Sequence, residues 1–391
     1  MRRNSPSILL VVLLVLSALP AAAQIGDDGA PLQPSPLPGL DDPPGTKLRE
    51  LPLPKPRMHG LTMIGDLLYG IYQTSATLEE IYELDTATGA VKSTITLSGY
   101  PAGAWLYGLG WDVRRNCFVM GDTSIQGLAL ADTSGKVTTF YATPGDRNVG
   151  AAYDTHRDGY WLCAWNTNTL KLYDARNLPA VLVTINLAAV GCTTSAGVAF
   201  SPVNDVVYVN SRTTNMGYVF DATTGRLLVS YAGVSSGYGS AWWDRWQCPV
   251  VVEEGISRIT YKDAGYPRVD AATSVPIGKV LAIQWKADGS PGRIYKAAAS
   301  FTERIAGIRF FNRYLPIAVD NLFFLSLQLP AVFVRFEGVL DPGGTAAGAL
   351  AVPNAPALAG ITLSIAWLTA DPAAPLGVHA ISGPWQVAIT K

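Results

Sequence analysis

The chain has 391 residues, of which 49% are apolar and only 15% charged. That is long enough for two or three domains and apolar enough for a large core, which excludes disorder over most of its length. With 29 Lys and Arg against 30 Asp and Glu, the formal charge is −1, so no basic face for nucleic acid is expected, and 38 Gly with 27 Pro suit a turn-rich all-β protein.

Residues 1–23 read as a signal peptide. Arg2 and Arg3 precede the apolar run Ile8 to Leu16, and Ala21-Ala22-Ala23 supplies small residues for cleavage before Gln24. The run is short for a membrane span, no later run reaches spanning length, and no Cys lies near the cleavage point to carry a lipid. The expected location is therefore secreted or cell-surface, with no transmembrane anchor after cleavage and a mature charge of −1 − 2 = −3. Residues 24–46 form a Pro- and Gly-rich linker, after which Lys47 to Leu53 supplies one edge strand.

From His59 a unit recurs. Its clearest copy runs from Gly197 to Gly225: an apolar strand, a turn at Ser201 to Asp205, the β-branched strand Val206 to Val209, and Gly217 to Phe220 closing on Asp221-Ala-Thr-Thr-Gly225. Asp221 suits a turn because its side chain bonds the backbone just downstream, and Gly225 accepts the positive φ that leads back into a hairpin. The first-strand glycine falls at Gly60, Gly108, Gly150, Gly197 and Gly239, at intervals of 48, 42, 47 and 42 residues. Alternating strands at a period in the forties predict a five-bladed β-propeller over 47–270. The fifth copy has the weakest fourth strand, so Lys47 to Leu53 is expected to complete it and close the ring.

The unit ends resemble the YVTN and quinoprotein-like propeller repeats, through VVYVNS (Val206 to Ser211) and the turns DTATG (Asp85 to Gly89) and DATTG (Asp221 to Gly225). That resemblance implies the fold and no particular activity. From Thr273 the repeat stops, and alternating strands separated by Pro- and Gly-rich turns predict a C-terminal β-sandwich over 271–391. This block resembles a C-terminal module of many secreted proteins of environmental bacteria, in LPIAVDNLFFLSL, FEGVLDPGGTAAGALAVPN, PALAGITLSIAW and TADPAAPLGVHAIS. The resemblance implies attachment or export.

The chemistry-bearing residues are sparse. Cys117, Cys163, Cys192 and Cys248 show no zinc spacing, so disulfides and buried thiols both remain open. Cys163 with Cys192 is the pair placed to bond, whereas Cys117 and Cys248 fall in blades that are not neighbours. His59, His156 and His379 share no ligand spacing, so no metal is expected. Gly233-Val-Ser-Ser-Gly237 matches a nucleophile-elbow pattern but leads into a strand rather than a helix, which makes it an inter-blade loop. Asp112, Asp154 and Asp244 recur at one point of successive repeats, as structural turn residues do.

The expected ligand site is the face where the second strands end. It carries Gln73, Asp122, Asn166, Asn210 with Ser211, and Glu253, and inter-blade loops add Trp105, Tyr107, Arg147, Asn148 and Tyr238. Aromatic rings beside amides and carboxylates suit a carbohydrate or another small polar ligand, with a negative balance from Asp122 and Glu253 against Arg147 and Arg212. The function expected is binding of an extracellular ligand or cell-surface component, without a cofactor. An extracellular hydrolase or lyase using Asp122 and Glu253 is the alternative. A quinone-dependent dehydrogenase would need an adjacent Cys pair or a cofactor-stacking Trp pattern, and the sequence shows neither.

Overall fold

The computed structural model describes residues 44–391 except 56, 76–77, 235–237, 254–256 and 311. The expected signal peptide, most of the linker and the central residues of the Gly233 motif lie outside the described residues. The chain divides into two compact units: Pro43–Trp243 with Cys248–Ala264, and Asp244–Gln247 with Gly265–Lys391.

The first unit is built from five four-stranded antiparallel sheets. Their first strands touch in order around a ring: Met58–Ile64, Leu106–Asp112, Asn148–Asp154, Ser195–Ser201 and Ser240–Trp243, which returns to Met58–Ile64. Burial falls off outward within each sheet. In the third blade, Asn148–Asp154 and Gly159–Ala164 are buried throughout, while the fourth strand, Val181–Asn186, is mostly exposed. Inner strands packed on both faces read as continuous apolar runs, and outer strands alternate.

The ring closes with a strand from the other end of the unit. Lys47–Pro52 pairs antiparallel with Arg258–Lys262, setting Leu51 opposite Ile259, and both side chains are buried. The fifth sheet therefore draws its outer strand from before the first, and the ring has no unpaired joint. The blade-ending turns form as the Asp-x-x-Thr-Gly pattern requires. Asp221 Oδ1 accepts from the amides of Thr223 (3.0 Å) and Thr224 (2.8 Å), and Gly225 sits at φ 70°. Asp85 does the same with Ala87 and Thr88.

The second unit has a four-stranded sheet, Arg268–Ala271, Val280–Lys286, Thr345–Ala351 and Phe333–Val334, and a larger mixed sheet centred on Thr362–Ala370 and Ile294–Ser300. The two share one core, in which Trp285 of the first sheet meets Tyr295 and Trp367 of the second at ring-centroid distances of 6.2 and 5.8 Å. Its first strand begins at Arg268, a few residues before the start expected at 271, because Val269 is already buried in this core. A helix, Asn321–Gln328, has no counterpart in the strand pattern expected for this block. Asp320 caps it by accepting from the Phe323 amide at 3.0 Å, and Leu322 and Ser326, four residues apart, form its buried side.

All four cysteines are buried free thiols. Cys163 Sγ donates to the Ala196 carbonyl at 3.3 Å, and burial pushes the Cys163 and Cys192 thiols up to about 12, which leaves both as inert core groups. No helix among the described residues is long and apolar enough to cross a membrane.

Candidate functional site

The repeated glycine has a physical cause. A Cβ on Gly60 would stand 2.5 Å from the carbonyl carbon of Gly108. One on Gly108 would stand 2.6 Å from the Ala151 nitrogen, and one on Gly239 would stand 2.7 Å from the Cα of Gly60. The inner strands approach too closely for any side chain at these positions, so the axis is filled by backbone.

Beside this plug lies a cavity of about 320 Å³. Its walls come from two kinds of position. Trp105, Tyr107, Arg147, Val149, Thr194, Ser195, Ala196 and Tyr238 lie where the chain enters an inner strand, and Thr123, Ser124, Trp165 and Arg212 lie just past the end of a second strand. One hydrogen bond, repeated in three blades, ties the two sets together. Thr123 donates its amide to the Trp105 carbonyl (3.1 Å), Trp165 to that of Arg147 (3.2 Å), and Arg212 to that of Thr194 (3.0 Å). Each pair sits one step beyond the last ladder pairing, which is Leu106 with Asp122 in the second blade and Ser195 with Ser211 in the fourth.

That single step decides the fate of the expected site residues. Asp122 lies inside the wall: its carboxylate is buried and accepts from the amides of Trp105 (2.5 Å) and Ile125 (2.7 Å). Glu79, on the neighbouring blade, accepts from the Leu106 amide at 2.8 Å, and burial pushes its pKa up to about 8. Two carboxyl groups thus grip the backbone that presents Trp105 and Tyr107. Asn166 clamps the next entry, accepting from the Arg147 amide (2.8 Å) and donating to the Gly145 carbonyl (2.7 Å). Ser211 is buried, and its hydroxyl donates to the Thr193 carbonyl. Glu253 is buried with Lys262, whose ammonium lies 3.0 Å from its Oε1. Gln73 is half-buried in its strand opposite Glu79 and is not part of the cavity wall.

Of the eleven expected residues, the structure brings four, Trp105, Tyr107, Arg147 and Tyr238, into one cavity. The negative balance expected for this face is not seen among the described residues, where the wall carries Arg147 and Arg212 and no carboxylate. The hydrolase or lyase alternative also loses its groups, since Asp122 and Glu253 are buried and engaged and neither lines the cavity. Trp165 and Thr123 were absent from the expected set, and Arg212 entered it only as a charge. The signal for all three was their place directly after a second strand.

The aromatic part of the wall continues inward. His59 packs on Tyr107 at 4.4 Å between ring centroids and meets Tyr238 edge-on at 5.3 Å, while the Arg212 guanidinium lies 4.3 Å over the Tyr238 ring. Burial, with help from the positive charges of Arg57 and Arg212, pushes His59 down to about 4, so its imidazole is neutral at physiological pH. Trp105 and Trp165 are the more open walls, 41% and 38% exposed. Among the described residues no group of three His, Cys, Asp or Glu side chains is placed to hold a metal ion.

The opposite face is made of turns laced by ion pairs. Asp112 accepts from the amides of Arg114 and Arg115, and the Arg115 side chain bridges Asp112 (2.8 Å) to Asp158 (2.7 Å) of the next blade. Asp154 repeats this with Arg157, which reaches Asp205 at 2.7 Å. The recurring aspartates Asp112 and Asp154 are thus turn formers and inter-blade links.

Several solved structures are similar to part of this chain. A glutaminyl cyclase from Myxococcus xanthus is similar over 56% of this chain and 97% of its own, with 11% identity and a TM-score of 0.44. A nidogen/laminin complex contains a chain similar over 52% of this one and 78% of its own, at 15% identity and a TM-score of 0.37. The Cps50 (Swd1) β-propeller domain of Myceliophteria thermophila is similar over 50% of this chain and 65% of that one, at 12% identity and a TM-score of 0.36. The ring of five four-stranded sheets makes this chain a β-propeller protein. No protein-family model matches the sequence, and no curated protein matches it.

Proposed function

We propose that this β-propeller protein is exported and binds a small polyhydroxylated ligand, a carbohydrate, in the cavity between Trp105, Trp165, Tyr107 and Tyr238. The observation that carries the reading is the cavity itself, about 320 Å³, with two partly open tryptophans set among the hydroxyl-bearing residues Thr123, Ser124 and Thr194. Indole faces cover the C–H faces of a sugar ring, and hydroxyls and guanidinium groups bond its rim. The space is that of one or two sugar rings. The basic start followed by an apolar run supports export, and the strands of the second unit, which resemble a module of secreted proteins, support a role at a cell surface.

Titration calorimetry of the full chain against a panel of mono- and disaccharides tests the reading. With each aromatic contact supplying on the order of 1 kcal/mol, Trp105→Ala with Trp165→Ala is expected to weaken binding tenfold or more. Binding that survives the double change would place the ligand elsewhere.

A further inference from the structure

The arginines of this protein fall into two sets, and the difference bears on what the cavity holds. Arg115 and Arg157 are each held by two aspartates. Arg147 and Arg212 are exposed, line the cavity, and take part in no ion pair among the described residues. Among the described residues no acidic side chain lines the cavity to answer them, and Asp122 has its oxygens turned to backbone amides. Each arginine is anchored in a different way. The backbone of Arg147 is fixed by Asn166, and the Arg212 guanidinium is stacked on Tyr238. Stacking covers one face of the guanidinium and leaves its N–H edge, with donors in a fixed fork, for a planar anion.

We infer that the ligand is an acidic sugar, a uronic acid or a glycan ending in one, whose carboxylate is taken by Arg147 and Arg212 while its ring lies against the tryptophans. The inference rests on the carbohydrate reading above and narrows it. Arginine suits this task better than lysine because its two parallel N–H groups match the two oxygens of a carboxylate. The depressed pKa of His59, to which Arg212 contributes, agrees with a positive field at this end of the propeller. A neutral sugar would leave both cations of the wall without an anionic partner. A bare inorganic anion would leave the aromatic walls without a partner.

The test compares methyl β-glucuronide with methyl β-glucoside, which differ only at the carboxylate, and runs inorganic phosphate alongside. Calorimetry with the full chain is expected to show the glucuronide binding at least about tenfold tighter, as a charge-assisted pair implies, with affinity falling as salt is raised. Arg147→Gln with Arg212→Gln is expected to remove that preference and leave the melting temperature nearly unchanged, since neither side chain holds the fold. Equal binding of the two glycosides, both lost on changing Trp105 and Trp165, would overturn the acidic-sugar inference and leave the carbohydrate reading standing. Binding of phosphate as tight as that of the glucuronide would also overturn it. Failure of both glycosides to bind would overturn both readings.

Discussion

On one face of the propeller Arg115 and Arg157 each bridge a pair of aspartates across neighbouring blades, whereas on the other Arg147 and Arg212 line a cavity whose wall, among the described residues, has no carboxylate. Both faces are made by the same strands, so the contrast lies in what the connections carry. Turns between first and second strands are short, those of the second and third blades read Asp-x-x-Arg, and the charges of these two hold blade to blade. Connections at the other end bring aromatic rings and cations, while their carboxylates turn inward to hold backbone. One face is therefore built for cohesion and the other has polar and aromatic groups to spare.

The sharpest way to break this comparison is to remove one arginine from the laced face. Arg157→Ala leaves Asp154 and Asp205, both buried, without their shared cation. The expected cost is about 3–5 kcal/mol, read from urea or thermal unfolding. A loss under 1 kcal/mol would mean that the lacing adds little cohesion.

Next in size is a difference in pH response. Arg115 beside Asp158 holds that carboxyl down to about 2, so its contribution is present above the ordinary carboxylate value and is lost as pH falls towards 2. Against its burial, hydrogen bonds from His156 and Arg157 hold Asp205 well below the usual range. Glu79, beside the cavity, has the opposite sign. With its pKa raised to about 8, the folded state keeps a proton that the unfolded chain gives up near 4.5, so stability falls as pH rises from about 4.5 to about 8. Glu79→Gln is expected to flatten that alkaline limb, which is on the order of a few kcal/mol, and to leave the acid limb in place. Melting curves at pH 3 to 9 decide it.

A smaller effect is expected at the blade ends. Asp221→Ala removes two side-chain bonds to backbone amides in a turn and is expected to cost about 1 kcal/mol without affecting ligand binding. Lost binding at unchanged stability would make Asp221 a ligand group.

How far the sequence carries follows from the same geometry. The five glycines were legible because inner strands meet at the axis and tolerate no Cβ, which forces one residue type at one phase of every repeat. Trp105, Tyr107, Arg147 and Tyr238 stood out because entry loops place their residues on a single end of the ring. Asp122 and Ser211 misled because a strand end is legible only to within a residue or so, and side-chain direction reverses at each step. The carboxylate seen as a ligand group is a backbone cap, and the residues one step on, Thr123 and Arg212, reach the cavity. The helix Asn321–Gln328 escaped notice for another reason. Its run of Leu and Phe has no clear alternation, and the cap at Asp320, the one start signal, sits in a block of strands.

The smallest expected effect is also the most direct check on the cavity face. Arg212→Gln removes a cation that has no ion pair among the described residues, and its one aromatic contact is the Tyr238 ring. An exposed cation–π contact is worth about 0.5–1 kcal/mol, so the loss of stability at neutral pH is expected to stay within that range, several times less than for Arg157. The change has a second readout in His59, whose pKa of about 4 is set first by burial and then by Arg57 and Arg212. Removing Arg212 leaves the burial in place, so the imidazole is expected to titrate somewhat higher yet still below its ordinary value, followed by NMR of the ring protons. A neutral histidine in the fold that becomes charged when unfolded makes stability fall as pH drops below about 6.5 towards 4, and Arg212→Gln is expected to narrow that window from its acid end. An unmoved His59 would mean that Arg212 points its charge away from the cavity, and the contrast between the two faces would then rest on Arg147 alone.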